Sequence, residues 1–416
     1  MALAVRRDAD VATGVVAGWV ARDERCPTWL LAVAGLLGAL PTLIEIMLAP
    51  SLFVDDWWLA SVAKLHGVAG FGHLIDVRSR PLQALYYGVT FTLFGGHPVP
   101  HLLLLAVANA LAGLLVAAIA WSWLPSRLAV VVTLTWLLLP ERGASHLWIA
   151  SSSSMNSLVL MLLALWLASR PRPKVWLVVG VVAVGVLAYE GGLGIGAAAV
   201  ALAAWRSSAD RPEQLRRLAG GGAVLVALAL WNRLTTPKTP GAFHIDVRTI
   251  LASNFGAGLL SEARGATSWA ILALLLLAVV LNLLPTFRRV WSARLLLAGG
   301  VLWVLGVLPF VLGSFPISID GMFDRGNTFA TMGVALLLGG VIELAWQERP
   351  ALGMGLAAVL LVVLGAANVK DLADQRHAAR DGRQVLADLD AVAGSGPGKV
   401  VLEVGPYWGG WNAFGF

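Results

Sequence analysis

Two adjacent carboxylates followed by two tryptophans, Asp55-Asp56-Trp57-Trp58, stand directly after the first long apolar run of the chain. Charge at the edge of a hydrocarbon layer is costly and often functional. A carboxylate there can take the proton of an attacking hydroxyl, which is general-base work. Two carboxylates side by side repel, and the repulsion raises the pKa of one and makes it the better base. The same residues also have a structural reading. Asp is a favoured N-cap, and Trp58, Val62 and Leu65 would line one face of an interfacial helix. Tryptophan is itself enriched where membrane meets water.

Two arginines stand where a helix is expected to begin: Arg80 in Arg78-Ser79-Arg80-Pro81-Leu82, and Arg325 in Asp324-Arg325-Gly326. A guanidinium meets a phosphate through two parallel bonds; its bland role is to snorkel to the interface. Glu190, in Leu187-Ala188-Tyr189-Glu190, lies within an apolar run. An intramembrane carboxylate is a functional candidate, with a hydrogen bond to a neighbouring helix as the structural alternative. His73 with Asp76, and His244 with Asp246, have metal-ligand chemistry. Isolated pairs in loops are usually solvated, so no metal site and no cofactor is predicted, a divalent cation being the less favoured option. Gly192-Leu193-Gly194-Ile195-Gly196 lacks the spacing of a dinucleotide site and reads as close helix packing. Ser151 to Ser154 reads as a helix start, and no P-loop sequence is present.

The elements that must carry these residues are membrane helices. The chain is 58% hydrophobic and 13% charged, with a mean hydropathy of +0.79, whereas soluble domains carry about 25% charged residues. Apolar runs fall near 29–49, 82–95, 99–123, 128–140, 155–169, 176–204, 219–233, 269–285, 293–313, 328–346 and 351–367. They predict an all-α polytopic protein of about eleven transmembrane helices. The run 176–204 is too long for one straight crossing, and a break is expected at Tyr189-Glu190-Gly191-Gly192. The run 128–140 is short, with a re-entrant piece as an alternative. The single Cys26 excludes an intramolecular disulfide and cysteine-based metal sites.

Orientation follows from Arg and Lys. The N-terminal segment 1–28, Arg206 to Arg217, Arg288 to Arg294 and Arg349 are basic and are expected in the cytoplasm. That places loops 50–81, 234–268 and 314–327, and a tail 368–416, outside. Arg170-Pro171-Arg172-Pro173-Lys174 then falls outside, against the rule, and leaves the crossing parity around 124–205 open. The tail is expected to form a small appendage, with a helix over 369–392, a strand over 399–404 and an aromatic end. The net charge of +6 sits in short loops beside apolar runs, so it signals topology and no nucleic-acid partner.

The order of these features resembles the GT-C superfamily of membrane glycosyltransferases. The resemblance rests on the acidic pair Asp55-Asp56 in the first external loop and Arg80-Pro81-Leu82 at the next helix start. Phe94-Gly95, Tyr189-Glu190 and the late Arg325 complete it. It covers 29–367 and implies an inverting transfer from a polyprenyl-phosphate sugar to an envelope glycan or lipid, on the outer side of a plasma membrane. Asp55 or Asp56 would be the base, and Arg80 and Arg325 would hold the donor phosphate. Trp57, Trp58, Tyr189, Glu190 and His244 would line the substrate site. A transporter or flippase of a lipid-linked sugar is the rival; it would place its key charges at the bilayer midplane between repeats. A polysaccharide polymerase or ligase is the second enzyme alternative. Membrane lipids are the remaining expected partner.

Overall fold

A computed structural model describes residues 25–48, 50–53, 55–73, 77–139, 143–208, 210–235, 290–313 and 327–393. Every regular element among them is a helix. In lipid the backbone has no water to bond, so an apolar run closes its hydrogen bonds internally as a helix. In chain order the α-helices are α1 (Thr28–Leu48), α2 (Asp55–Gly70), α3 (Pro81–Phe94), α4 (Pro98–Trp123), α5 (Ser126–Leu138), α6 (Gly143–Leu147) and α7 (Ser152–Ala168). They continue as α8 (Val175–Ala188), α9 (Leu193–Arg206), α10 (Arg211–Thr235), α11 (Val290–Gly313), α12 (Thr331–Glu348) and α13 (Pro350–Ala393). Six helical stretches are long and apolar enough to cross a bilayer: α1, α4, Ile149–Ala168, α10, Ser292–Phe310 in α11 and Pro350–Asp381 in α13. The protein is an all-α integral membrane protein.

Small residues set the seams. A Cβ at Gly38 would lie 2.5 Å from the Asn109 carbonyl, and one at Gly113 would lie 2.4 Å from that of Ala34. With no Cβ there, the backbones of α1 and α4 approach directly. The pairing of 38 with 109 and 34 with 113 makes the two helices antiparallel.

That relation corrects the expected crossing at 82–95. Helix α3 packs antiparallel on α2: Gly88 lies against Val68 and Phe71, and Gly96 against Leu52 and Ala60. The chain leaves α1, runs out along α2, returns along α3 and enters α4 at the end where α1 finished. The fourteen residues of α3 rise about 21 Å, the same as α8 and α9, so it is the return along α2 and not length that sets α3 apart. Its hydropathy looks like that of a short span because it buries one face on α2 and bares another, at Leu85, Val89 and Leu93. Glycines punctuate the hairpin. Gly67 breaks α2 at φ 58° and Gly95 ends α3 at φ 59°, both in the left-handed region where a side chain is strained.

Removing one crossing reverses the parity of the helices that follow, up to the turn at 190–192, where the split of the run 176–204 restores it. Helices α7 and α8 are antiparallel, with Gly185 against Leu160 and Met161. The run 176–204 is broken where expected, at the 3-10 turn Glu190–Gly192, but the chain reverses there. Gly196 of α9 lies against Val182 of α8, and Gly221 of α10 touches both Val179 and Val200. Arg170 to Lys174 therefore lies at the same end as Arg206 to Arg217. Its expected place on the opposite side is corrected, and the one exception to the charge rule disappears.

The second half closes the bundle. Helices α11 and α12 are antiparallel, Gly299 against Leu337 and Gly306 against Ala330. On α5, Trp136 Nε1 donates to Thr331 Oγ1 at 3.0 Å, and Arg127 Nη2 donates to Glu343 at 3.1 Å. Asn368 of α13 donates to the Leu138 carbonyl. The helix expected in the tail at 369–392 is the continuation of α13, forty-four residues and about 66 Å long. The expected strand and aromatic end lie outside the described residues, as do 236–289 and 314–326. The described helices, six of them long and apolar enough to cross a bilayer, run between a basic end (Arg127, Arg170, Arg206, Arg349) and an opposite end that carries the α2–α3 hairpin. Exposed Trp29, Trp176 and Trp205 ring the basic end, and Trp58 and Trp231 the other. That is the double aromatic belt of a membrane protein.

Candidate functional site

The α2–α3 hairpin brings together most of the described candidates, and it treats the two carboxylates differently. Asp56 is fully buried. Its Oδ2 accepts the Phe53 N–H at 2.9 Å and its Oδ1 the Ala150 N–H at 2.7 Å. It caps the start of α2 and staples the hairpin to the 3-10 turn Ile149–Ser151 before α7. Burial pushes its carboxyl well above the usual carboxylate range, the neighbouring Asp55 charge adding to the rise, against the lowering effect of the two N–H bonds. Asp55 is exposed at the tip of the same helix. Of the pair, Asp56 has the anchoring role and Asp55 the access that a base requires.

The tryptophans divide in the same way. Trp57 is half-buried and donates its indole N–H to the Leu52 carbonyl at 3.1 Å, bracing the turn between α1 and α2. Trp58 is exposed. A second staple stands beside Asp56. Tyr87 of α3 donates its hydroxyl to the Ala150 carbonyl and lies 3.1 Å from Ser153 Oγ. Ala150 thus gives its N–H to α2 and receives a hydroxyl from α3.

Arg80 precedes α3 and points into the bundle. Its Nε donates to Glu190 Oε2 at 2.6 Å and its Nη2 to Glu190 Oε1, a two-pronged pair whose side chains are 11% and 16% exposed. The guanidinium lies over the Tyr189 ring, 4.7 Å from its centre. Tyr189 is buried and stacks on Phe329, with centroids 6.0 Å apart and planes 9° apart. Gly191 is tightly enclosed, since a Cβ there would come within 2.7–2.9 Å of Phe310, Phe329 and Tyr189. Trp231 of α10 holds the same loop by donating to the Arg78 carbonyl at 3.0 Å. Tyr189 and Glu190 therefore bear on Arg80.

Sequence reasoning missed three features here. Ala150 and Tyr87 form staples that no local motif announces. Glu45 is fully buried in α1, one turn beyond Thr42, whose hydroxyl donates to the His146 carbonyl at 2.7 Å. A carboxylate inside an apolar run was its only signal. Arg325 and His244 lie outside the described residues, together with Asp76, Asp246 and Asp324. Among the described residues no group of three potential metal ligands converges. No family model, curated protein or solved structure matches the chain.

Proposed function

We propose that the protein is a membrane glycosyltransferase of the GT-C type. It moves a sugar from a polyprenyl-phosphate donor to an envelope glycan or lipid, at the end of the bundle away from its basic loops. The observation that carries this reading is one hairpin, at the end of the bundle away from the basic loops, that bears both an exposed carboxylate, Asp55, and a guanidinium suited to paired oxygens, Arg80. The chemistry needs both groups on one substrate, so the bound donor and acceptor have to bridge Asp55 and Arg80. The acceptor hydroxyl oxygen attacks the anomeric carbon as its proton passes to Asp55. The bond to the phosphate oxygen breaks, and the lipid phosphate leaves with the electron pair. Configuration at the anomeric carbon inverts. Arg80, with Arg325 as its expected companion, offsets the charge on the leaving phosphate.

The basic end faces the cytoplasm by the loop-charge rule, so the site faces the exterior or periplasm of a plasma membrane. Exposed Trp58 is the candidate wall of the sugar site. The test is transfer from a synthetic polyprenyl-phosphate sugar by Asp55→Asn. Loss of a positioned base lowers turnover by about a hundred- to ten-thousand-fold. Wild-type turnover in a folded Asp55→Asn protein would refute the assignment.

A further inference from the structure

Carboxylate and phosphate present the same paired oxygens to a guanidinium, and the planar fork of Arg receives either through two parallel bonds. In this structure the fork of Arg80 holds the Glu190 carboxylate. We propose that Glu190 is a built-in competitor at Arg80: its carboxylate fills the fork in the unloaded protein, and the phosphate of a prenyl phosphate binds by displacing it. The inference rests on the reading of Arg80 as the donor-phosphate ligand.

Three observations make the pair exchangeable. First, each backbone is held independently of it. Ser157 Oγ donates to the Tyr189 carbonyl at 3.0 Å, and Tyr189 N–H donates to Gly185 at 2.9 Å, so the 189–192 turn keeps its place when the carboxylate swings away. On the other side, Ala84 N–H donates to the Arg80 carbonyl at 3.1 Å, and Trp231 holds Arg78. Second, the pair is not sealed: both side chains keep some exposure. Third, Tyr189 supports the guanidinium from its flat face. An in-plane exchange of anions leaves that contact intact. The result is a two-state side-chain pair on a fixed frame.

Such a competitor weakens every anion by the same factor, because the apparent affinity falls by the fraction of protein with an open fork. A weak free anion is then excluded. A phosphate that also carries a prenyl chain into the bilayer retains enough binding to displace Glu190. The prenyl chain supplies the discrimination between lipid-linked and free phosphate; the competitor sets the affinity threshold that only the lipid-linked one passes.

The experiment measures binding of farnesyl phosphate, and separately of inorganic phosphate, to the full chain in nanodiscs. Wild type, Glu190→Gln, Glu190→Asp and Arg80→Gln are compared, with thermal melting as the control for folding. Removing the competitor's charge is expected to tighten farnesyl phosphate by about tenfold. Glu190→Asp, which keeps the charge on a shorter arm, should fall between that and wild type. Arg80→Gln should abolish the binding. Unchanged or weaker binding in Glu190→Gln and Glu190→Asp would overturn the competitor and make Glu190 a brace for Arg80. Wild-type affinity in Arg80→Gln would instead overturn the donor-phosphate reading beneath it. Equal affinity for inorganic and farnesyl phosphate in wild type would overturn the lipid source.

Discussion

Asp56 accepts the backbone N–H of Ala150 at 2.7 Å, across 94 residues of chain. This single bond ties the helix that follows the first crossing to the turn that precedes α7. With the Phe53 N–H on its other oxygen, Asp56 satisfies two buried donors at once. Asp56→Ala leaves both without an acceptor, and each such loss costs about 1–3 kcal/mol. The variant should melt well below wild type, whereas Asp55→Ala, at an exposed position, should melt close to it. Thermal unfolding in detergent checks the contrast. Equal losses in the two variants would remove the distinction between anchor and base.

The same carboxyl gives a pH dependence with a defined sign. Burial raises the folded-state pKa of Asp56 above its unfolded value, so folding takes up a proton between the two. The stability this group contributes is complete below the unfolded value of about 3.9. It is lost as pH rises through the folded value. Melting temperature plotted against pH should therefore fall more steeply from pH 4 upward in wild type than in Asp56→Asn, which cannot ionise. Parallel curves would mean that the two N–H bonds outweigh burial.

Sidedness follows from the hairpin. Cysteines placed at Arg172 and Arg211 should label from the same face of the membrane, and one placed at Ser61 from the opposite face. The native Cys26 is half-buried, and Cys26→Ser supplies the background for these variants. Burial pushes its thiol up to about 11, so little thiolate is present at neutral pH. Labelling of position 172 from the same face as position 61 would restore 82–95 as a crossing.

Much of this architecture was legible in the sequence, and the failures have physical causes. The alternation of apolar runs and basic turns gives the bundle, because lipid leaves no other way to satisfy a backbone. Hydropathy could not separate α3 from a span, since a helix lying on a partner at the interface is as apolar as a short crossing one. The misfit was visible at Arg170 to Lys174, which the hairpin moves to the basic end. The glycines at 191 and 192 announced a break but not a reversal; Gly196 against Val182 reveals that. Asp55 and Asp56 could be found as a pair, yet their division of labour depends on Ala150, which no local pattern links to them. Arg80 and Glu190 were each recognised, 110 residues apart, and only the fold makes them partners.

Packing at the α1–α4 seam gives a stability contrast between glycines. A methyl at Gly113 would meet the Ala34 carbonyl at 2.4 Å, and backbone cannot yield as a side-chain end can. Gly113→Ala should destabilise the protein by about 1–3 kcal/mol. Gly180 and Gly222 have nothing within 4 Å of the added carbon, and Ala there should stabilise by up to about 1 kcal/mol through helix propensity. Unfolding in a mixed-detergent titration separates the two classes. Similar losses at all three sites would mean that the seam does not depend on backbone approach.

The last prediction concerns the energy of the Arg80–Glu190 pair itself. The partners are largely removed from water, so deleting one leaves the other charged and uncompensated. Arg80→Ala or Glu190→Ala alone should therefore cost roughly 2–4 kcal/mol, somewhat less than a fully sealed pair. Deleting both removes the stranded charge as well as the bond, so the double variant should be no worse than the poorer single one. The interaction energy from the four proteins should come to about 1–3 kcal/mol. Arg80→Lys keeps the charge but loses the fork and the flat face over Tyr189, and should recover only part of the loss. A pair that merely met at a wet surface would show additive changes and full rescue by Lys. Equilibrium unfolding of wild type, both single variants, the double variant and Arg80→Lys decides between them. Additivity within about 0.5 kcal/mol would mean that Glu190 neither braces Arg80 nor competes for it.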